Sequence, residues 1–137
     1  MPDHSLFGDE HVRQYEATGG KIGHDWNNLS CLVLLTIGRK SGDTKKLPLV
    51  YGRDGNNYVV VASKRGAPEH PGWYKNLLAH PDVKIQVWDK VIPVRARTAT
   101  AEEKKRLWPI MTAQTSDYDN YQARTKRDIP VVLLTPR

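Results

Sequence analysis

The longest apolar run, Leu29 to Ile37, is bounded by polar Asn27-Asn28 and by Gly38, and its Val and Thr content predicts a strand. Leu47–Arg53 predicts a second strand, and Asp54-Gly55-Asn56-Asn57 turns the chain into a third, Tyr58–Ala62. Asp-Gly between two such runs is a strong hairpin signal, because these residues accept the left-handed backbone of tight turns. Val83, Ile85 and Val87 alternate with Lys84, Gln86 and Trp88, the period of a half-buried strand. Asp89-Lys90 leads into another alternating segment, Val91–Ala99, and Ile129–Leu134 supplies the last strand. Helical signals are short. Asp9–Ala17 reads as a helix ended by Gly19-Gly20, and Trp73–Ala79 as one stopped by His80-Pro81. Thr100-Ala-Glu-Glu103 has the form of a capping box and opens a helix to about Ala113. Gln114–Arg127 is polar and tyrosine-bearing.

Six strands and three short helices in hairpin order predict an α+β, mainly β class: a small antiparallel barrel with helices packed outside it. A chain of 137 residues suits one domain. We divide it into an N-terminal segment, 1–18, holding the first helix, and a barrel domain, 19–137. No repeat, low-complexity tract or linker interrupts it. A hydrophobic fraction of 39% with 26% charged residues excludes a disordered chain. Twenty-one Lys and Arg against fifteen Asp and Glu give +6, which favours an anionic partner: a phosphorylated cofactor, a nucleic acid or an acidic membrane surface. Cys31 is the single cysteine and lies in an apolar run, so it reads as a small core residue. No stretch approaches the ~20 apolar residues of a membrane-spanning helix, and no signal-peptide core is visible, so a cytoplasmic location is expected, with peripheral membrane contact open.

Two loops could carry chemistry. In Gly38–Lys46, four cations (Arg39, Lys40, Lys45, Lys46) surround two glycines and the hydroxyls of Ser41 and Thr44. Glycines let backbone N–H groups approach an anion, and Arg39 can grip phosphate with two donors while a lysine adds a point charge. A solvated hairpin tip is the alternative. The second loop follows Tyr58–Ala62, where Ser63-Lys64-Arg65-Gly66 again offers a hydroxyl, cations and a glycine, and Trp73-Tyr74 offer aromatic surface for a planar ring or for the core. His70 and His80 have no partners at metal-ligand spacing, and His24-Asp25 is an adjacent pair whose side chains diverge on regular backbone, so no metal site is expected. Glu102-Glu103 suits a helix N-terminus without chemistry. Nothing here runs difficult chemistry unaided; a bound cofactor is the natural route to an enzyme. If Asp117–Tyr121 is helical, Tyr118 and Tyr121 share a face, either as a wall to a substrate or as a packed edge.

The ordered series Leu35-Thr-Ile-Gly-Arg-Lys-Ser-Gly42, Pro48-Leu49, Asp54-Gly55, Ala62-Ser-Lys64, Gly66-Ala67, His70-Pro71, Trp73-Tyr74 and Asn76-Leu77, with the tail Asp119-Asn-Tyr-Gln-x-Arg-Thr-x-Arg-x-Ile-Pro-Val-Val132, resembles the actinobacterial deazaflavin-dependent nitroreductase family, whose cofactor is coenzyme F420. The likeness runs from about Gly19 to Pro136. It implies a split β-barrel of the FMN-binding type, with 19–137 as the cofactor-binding domain. It implies that Arg39, Lys40 and Ser41 meet the phosphate and acidic tail, with Lys45 where the family usually has Arg. It further implies that Pro48, Leu49 and Val50 line the ring, and that Val61, Ala62, Ser63 and Lys64 complete the pocket beside Trp73 and Asn76. Tyr118 and Tyr121 match substrate-side tyrosines; Val50 and Thr115 stand where some relatives have aromatics. The activity implied is hydride transfer from the reduced deazaflavin to a quinone or nitroaromatic acceptor, with Ser63, Tyr118 and Tyr121 as catalytic residues, by a monomer or weak homodimer without nucleic acid. An FMN-dependent oxidoreductase on the same barrel, a nucleic-acid-binding β-barrel, and a carrier that stores the deazaflavin are the alternatives.

Overall fold

A strand pattern this regular needs a surface to close against, and the closure is what positions the loops. The computed structural model describes residues 8–137, so residues 1–7 of the expected N-terminal segment lie outside the described residues. Helix α1 (Gly8–Thr18) carries Asp9 and Glu10 in its first turn, where the helix dipole favours negative charge. It is followed by β1 (Asp25–Trp26), β2 (Leu29–Ile37), β3 (Thr44–Val50), β4 (Gly52–Asp54) and β5 (Asn57–Val61). A single 3-10 turn at Lys64–Gly66 precedes α2 (Gly72–Ala79), then β6 (Asp82–Val87), β7 (Lys90–Thr98), α3 (Ala101–Thr112), α4 (Asp117–Arg124) and β8 (Val131–Pro136).

The described strands form one antiparallel sheet in the order β1-β2-β6-β7-β8-β5-β4, with β3 on β2. Strands β3 and β4 are two arms of one bent segment that turns at Tyr51. The first arm pairs with β2 (Leu34↔Leu47, Leu32↔Leu49) and the second with β5 (Gly52↔Val59). The sheet therefore curls back on itself, and the barrel is split along the side of β3 that no described strand pairs. Pro48 is tolerated there because an edge position requires no second ladder donor.

Period-two alternation sorts the strands' side chains between two faces. Leu32, Leu34, Val60, Ala62, Ile85, Val94, Val132 and Leu134 point inward and form the barrel core with Tyr58, Tyr74 and Leu77. Val59, Val61, Val131 and Leu133 point outward and pack under α3 and α4 against Leu107, Met111 and Tyr118. Val12 and Tyr15 of α1 cover Val33. The fully buried Tyr15 donates from its hydroxyl to the Cys31 carbonyl (3.0 Å) and accepts from the Trp88 N–H (2.9 Å), tying α1 to β2 and to the β6–β7 turn.

Several boundaries move from expectation. Lys45 and Lys46 lie on β3 rather than in the turn, because Lys45 pairs with Thr36 and Lys46 with Leu35, and the Thr36 hydroxyl donates to the Lys45 carbonyl (3.1 Å). Tyr51 breaks the expected 47–53 strand in two. The capping box at Thr100 and Glu103 is present in both directions. The polar 114–127 stretch contains a helix, α4, because Tyr118 at its first turn buries itself against the outer face of β5 and β8.

Candidate active site

The β2–β3 turn, the loop after β5, α2 and the approach to β8 all lie at one rim of the barrel, since antiparallel pairing puts Ile37, Val61, Asp82 and Val131 at the same end. In the turn, the Gly38 N–H donates to the Asp43 carbonyl and the Gly42 N–H to the Gly38 carbonyl, both at 2.8 Å. Ser41 Oγ accepts from the Asp43 N–H (3.2 Å), and a Cβ on Gly38 would stand 2.6 Å from that oxygen. The Arg39 N–H donates to Asn76 Oδ1 at 3.2 Å and its Nη1 to the same oxygen at 2.8 Å. The buried Asn76 thus fixes both the backbone and the fork of Arg39. Lys46 is held by Glu16 (2.8 Å), whereas exposed Lys40 and Lys45 make no ion pair among the described residues.

The loop after β5 is strained. Ser63 is right-handed (φ −80°, ψ −37°), then Lys64 (φ 44°), Arg65 (φ 55°) and Gly66 (φ 82°) are left-handed. A left-handed residue with a Cβ costs about 1–2 kcal/mol. A right-handed residue followed by a left-handed one aims successive N–H groups at one point, a concavity suited to an anion; the Gly66 N–H is given to the Ser63 carbonyl (2.9 Å), which leaves those of Lys64 and Arg65. The half-buried Arg127 holds this conformation: Nη1 donates to the Ala62 carbonyl (3.2 Å), Nη2 to the Ser63 carbonyl (2.7 Å) and Nε to the Ala67 carbonyl (2.8 Å). His70 Nδ1 lies 3.0 Å from Nη1, and burial and the Arg127 charge lower the His70 pKa, so a neutral ring accepts that hydrogen bond. Gly66 is required because a Cβ would meet the Tyr121 carbonyl at 2.6 Å. Arg127 had no role assigned from the sequence. Its signal was its place just before the strand that pairs with β5, which brings it beside the residues leaving β5.

The structure sorts the expected ring-lining residues into two adjoining clusters. Leu49, Ala62 and Trp73 belong to the barrel core, and Val50, Val61, Tyr118 and Tyr121 to the cluster under α3 and α4. Tyr118 and Tyr121 are neighbours with ring centroids 6.2 Å apart, and the Arg124 guanidinium lies 5.5 Å from the Tyr121 ring. Burial pushes the Tyr118 phenol well above its ordinary pKa, so it stays protonated. The Ser63 hydroxyl does not cap the turn that follows it, and the Lys64 ammonium pairs with Glu69 (3.1 Å). Burial pushes the Cys31 thiol up to about 12, far from a reactive thiolate.

One expectation is corrected outside this rim. His24 and Asp25 do not diverge: His24 Nδ1 lies 2.7 Å from Asp25 Oδ1, because His24 sits in the bend that enters β1 and only Asp25 is on the strand. His24 Nε2 meets the Tyr51 hydroxyl at 2.7 Å, and its ring stacks on Trp88 at 3.7 Å. A cleft of about 900 Å³ opens beside Tyr51, Tyr58 and Trp88, at the opposite rim from the loops above.

A family model described as F420H(2)-dependent quinone reductase matches residues 8–136. The chain belongs to that family. An F420H(2)-dependent quinone reductase of Mycobacterium tuberculosis strain H37Rv is 44% identical over 131 residues, covering 93% of this chain and 88% of the relative. Among solved structures, an F420-H2 dependent reductase is 38% identical with a TM-score of 0.70, over 76% of this chain and 92% of its own. Another, described as a domain-swapped dimer, is 35% identical with a TM-score of 0.74, over 91% and 92%. A heme storage protein of Vibrio cholerae, only 14% identical, shares the split-barrel fold with a TM-score of 0.62, over 94% and 89%. This reductase is accordingly an oxidoreductase with coenzyme F420 as its cofactor.

The residues at the rim and along β3 suit that cofactor. Lys40 and Lys45, unpaired among the described residues, and the oriented Arg39 offer charge to a phosphate and carboxylate tail. The concavity offers the N–H groups of Lys64 and Arg65, and along β3, from that rim toward Tyr51, half-buried Pro48, Leu49 and Val50, with Trp73, offer apolar surface for a planar ring.

Proposed function

We propose that this reductase passes a hydride from reduced F420 to a quinone, with the cofactor held across the split of the barrel. Arg39, Lys40, Ser41, Lys45 and Lys64 take its anionic end, and Pro48, Leu49, Val50, Val61, Ala62, Trp73 and Asn76 form or support the wall for its ring. The observation that carries the reading is the meeting, at one rim, of the Asn76-oriented Arg39, the strained Ser63–Gly66 concavity and the unpaired edge of β3.

When bound and reduced, the deazaflavin supplies a hydride from its C5 carbon. The chain's own work is binding, orientation and the proton. Asn76 fixes the Arg39 fork so that its remaining donors face the tail. Arg127 keeps Ser63 in register with the end of β5, where its hydroxyl, free of capping duty, is available to hydrogen-bond ring or acceptor. Tyr118 stays protonated because burial disfavours the phenolate, and with half-buried Tyr121 it walls the acceptor side; a tyrosine hydroxyl or water delivers the proton. Aligning donor and acceptor carbons at about 3–3.5 Å is the main catalytic demand for such a transfer.

Because Val50, Tyr118 and Tyr121 share one apolar cluster, the same wall suits a flat, electron-poor nitroaromatic as a second acceptor. We place the working enzyme in the cytoplasm as a monomer or weak homodimer with peripheral membrane contact. Among the described residues, no helix is long and apolar enough to cross a membrane. The test is titration with oxidised F420 and, separately, FMN, followed by stopped-flow oxidation of the reduced deazaflavin by a menaquinone analogue. Micromolar F420 binding is expected, and its absence refutes the reading. Ser63→Ala is expected to slow turnover about ten- to a hundredfold with F420 affinity kept; unchanged turnover removes Ser63 from that role.

A further inference from the structure

We infer that the apolar cleft between α1 and β3 seats the isoprenoid tail of the quinone acceptor. The inference rests on the acceptor reading above and adds where the rest of the molecule goes. The cleft measures about 360 Å³ and is lined by Gly8, His11, Trp26, Cys31, Leu47, Pro48 and Val50. Two of these, Pro48 and Val50, are residues we assign to the wall of the redox site, so the cleft runs on from that wall toward the exposed start of α1.

The lining asks for hydrocarbon. His11 is buried and its Nε2 is engaged with the Gly23 carbonyl at 2.8 Å, and the Cys31 carbonyl is taken by the Tyr15 hydroxyl at 3.0 Å. Pro48 has no N–H to satisfy. The cleft is also preformed. A Cβ on Gly23 would meet His11 Cδ2 at 2.9 Å, so the imidazole is seated tightly against the backbone, and Trp26 flanks it with centroids 5.7 Å apart. A rigid apolar groove leading away from a redox site fits an acceptor whose flat polar head reacts while a long apolar tail must stay out of water.

The experiment compares quinones with the same head and zero, one or two isoprene units. Equilibrium binding to the F420-loaded enzyme and KM are both measured. About tenfold tighter binding per unit seated, levelling off once the cleft is filled, is expected from the apolar surface buried. Trp26→Ala should cut the tailed-to-tailless affinity ratio about tenfold, and Trp26→Phe should restore most of it; the wild-type tail series tests the idea even if a variant folds poorly. Tail-independent binding overturns the inference, as does a Trp26→Ala effect equal on tailed and tailless heads, which would make the groove a seat for protein rather than for ligand. Tail-dependent binding without reduction of any quinone would instead overturn the acceptor reading while keeping the groove.

Discussion

Removing Arg127 tests whether a single side chain holds the strained loop. In Arg127→Ala, three guanidinium-to-carbonyl hydrogen bonds disappear, at Ala62, Ser63 and Ala67. Hydrogen bonds to a charged group contribute about 1.5–3 kcal/mol each. The guanidinium is only half-buried, and water can reach some of the abandoned carbonyls, so about 1 kcal/mol apiece, or ~3 kcal/mol together, is the reasoned loss. Lys64 and Arg65 hold left-handed conformations costing about 1–2 kcal/mol each, a sum of the same size, so without the clamp the loop relaxes. For a domain of this length the melting temperature should fall by roughly 10 °C. F420 affinity should fall tenfold or more, because the concavity at Ser63–Gly66 opens. Arg127→Lys should recover only a minor share, since one ammonium cannot fork to three carbonyls. Thermal unfolding and F420 titration read both effects, and amide exchange at Lys64 and Arg65 reports the loop directly. A melting temperature within about 2 °C of wild type, with unchanged F420 affinity, would refute the clamp.

Gly66→Ala should destabilise by about 3 kcal/mol or more, combining left-handed strain with a 2.6 Å approach to the Tyr121 carbonyl, and should weaken F420 binding in the same titration. Arg39→Ala should weaken F420 binding about ten- to a hundredfold and flatten its salt dependence, with Asn76→Ala losing less; titrations at low and high salt separate charge from orientation. Stability should fall with rising alkaline pH. Burial raises the folded-state pKa values of Cys31 and Tyr15 to about 12 and lifts Tyr51 and Tyr118 too, so the unfolded chain releases these protons first and is favoured from about pH 9 upward. The slope should near 1.4 kcal/mol per pH unit while Cys31 alone titrates, and steepen above about pH 10. Urea unfolding across that range checks it, and Cys31→Val should delete the first segment only.

The strand pattern was legible because period-two alternation and Asp-Gly act over a few residues. Leu29–Ile37 and the capping box at Thr100 follow from local chemistry alone. What local pattern could not supply was the bend at Tyr51, which exists because one segment must serve two partners, β2 and β5, distant in sequence. The same limit applies at the rim. The cations of Gly38–Lys46 are visible as composition, but Lys46 belongs to Glu16 of α1 and Arg39 to Asn76 of α2, and those partners are chosen by the fold. Arg127 passed without a role for this reason: its work is done on carbonyls about sixty residues away. His24 and Asp25 meet because His24 lies in the bend before β1 while Asp25 begins the strand, and neighbouring residues alone do not reveal that.

Strand β8 is last in chain order yet lies between β5 and β7, with Val131 to Leu134 all buried. A ribosome therefore releases seven strands before the piece that joins them exists. Until Val131–Pro136 emerges, the facing edges of β5 and β7 stand open to any passing strand, and Arg127, just upstream, has not yet gripped the loop after β5. Completion of the wall and completion of the cofactor loop thus depend on the same few residues. A nascent or clipped chain lacking them should be a target for chaperones and proteases rather than a slow enzyme, so cells would hold whole reductase or none.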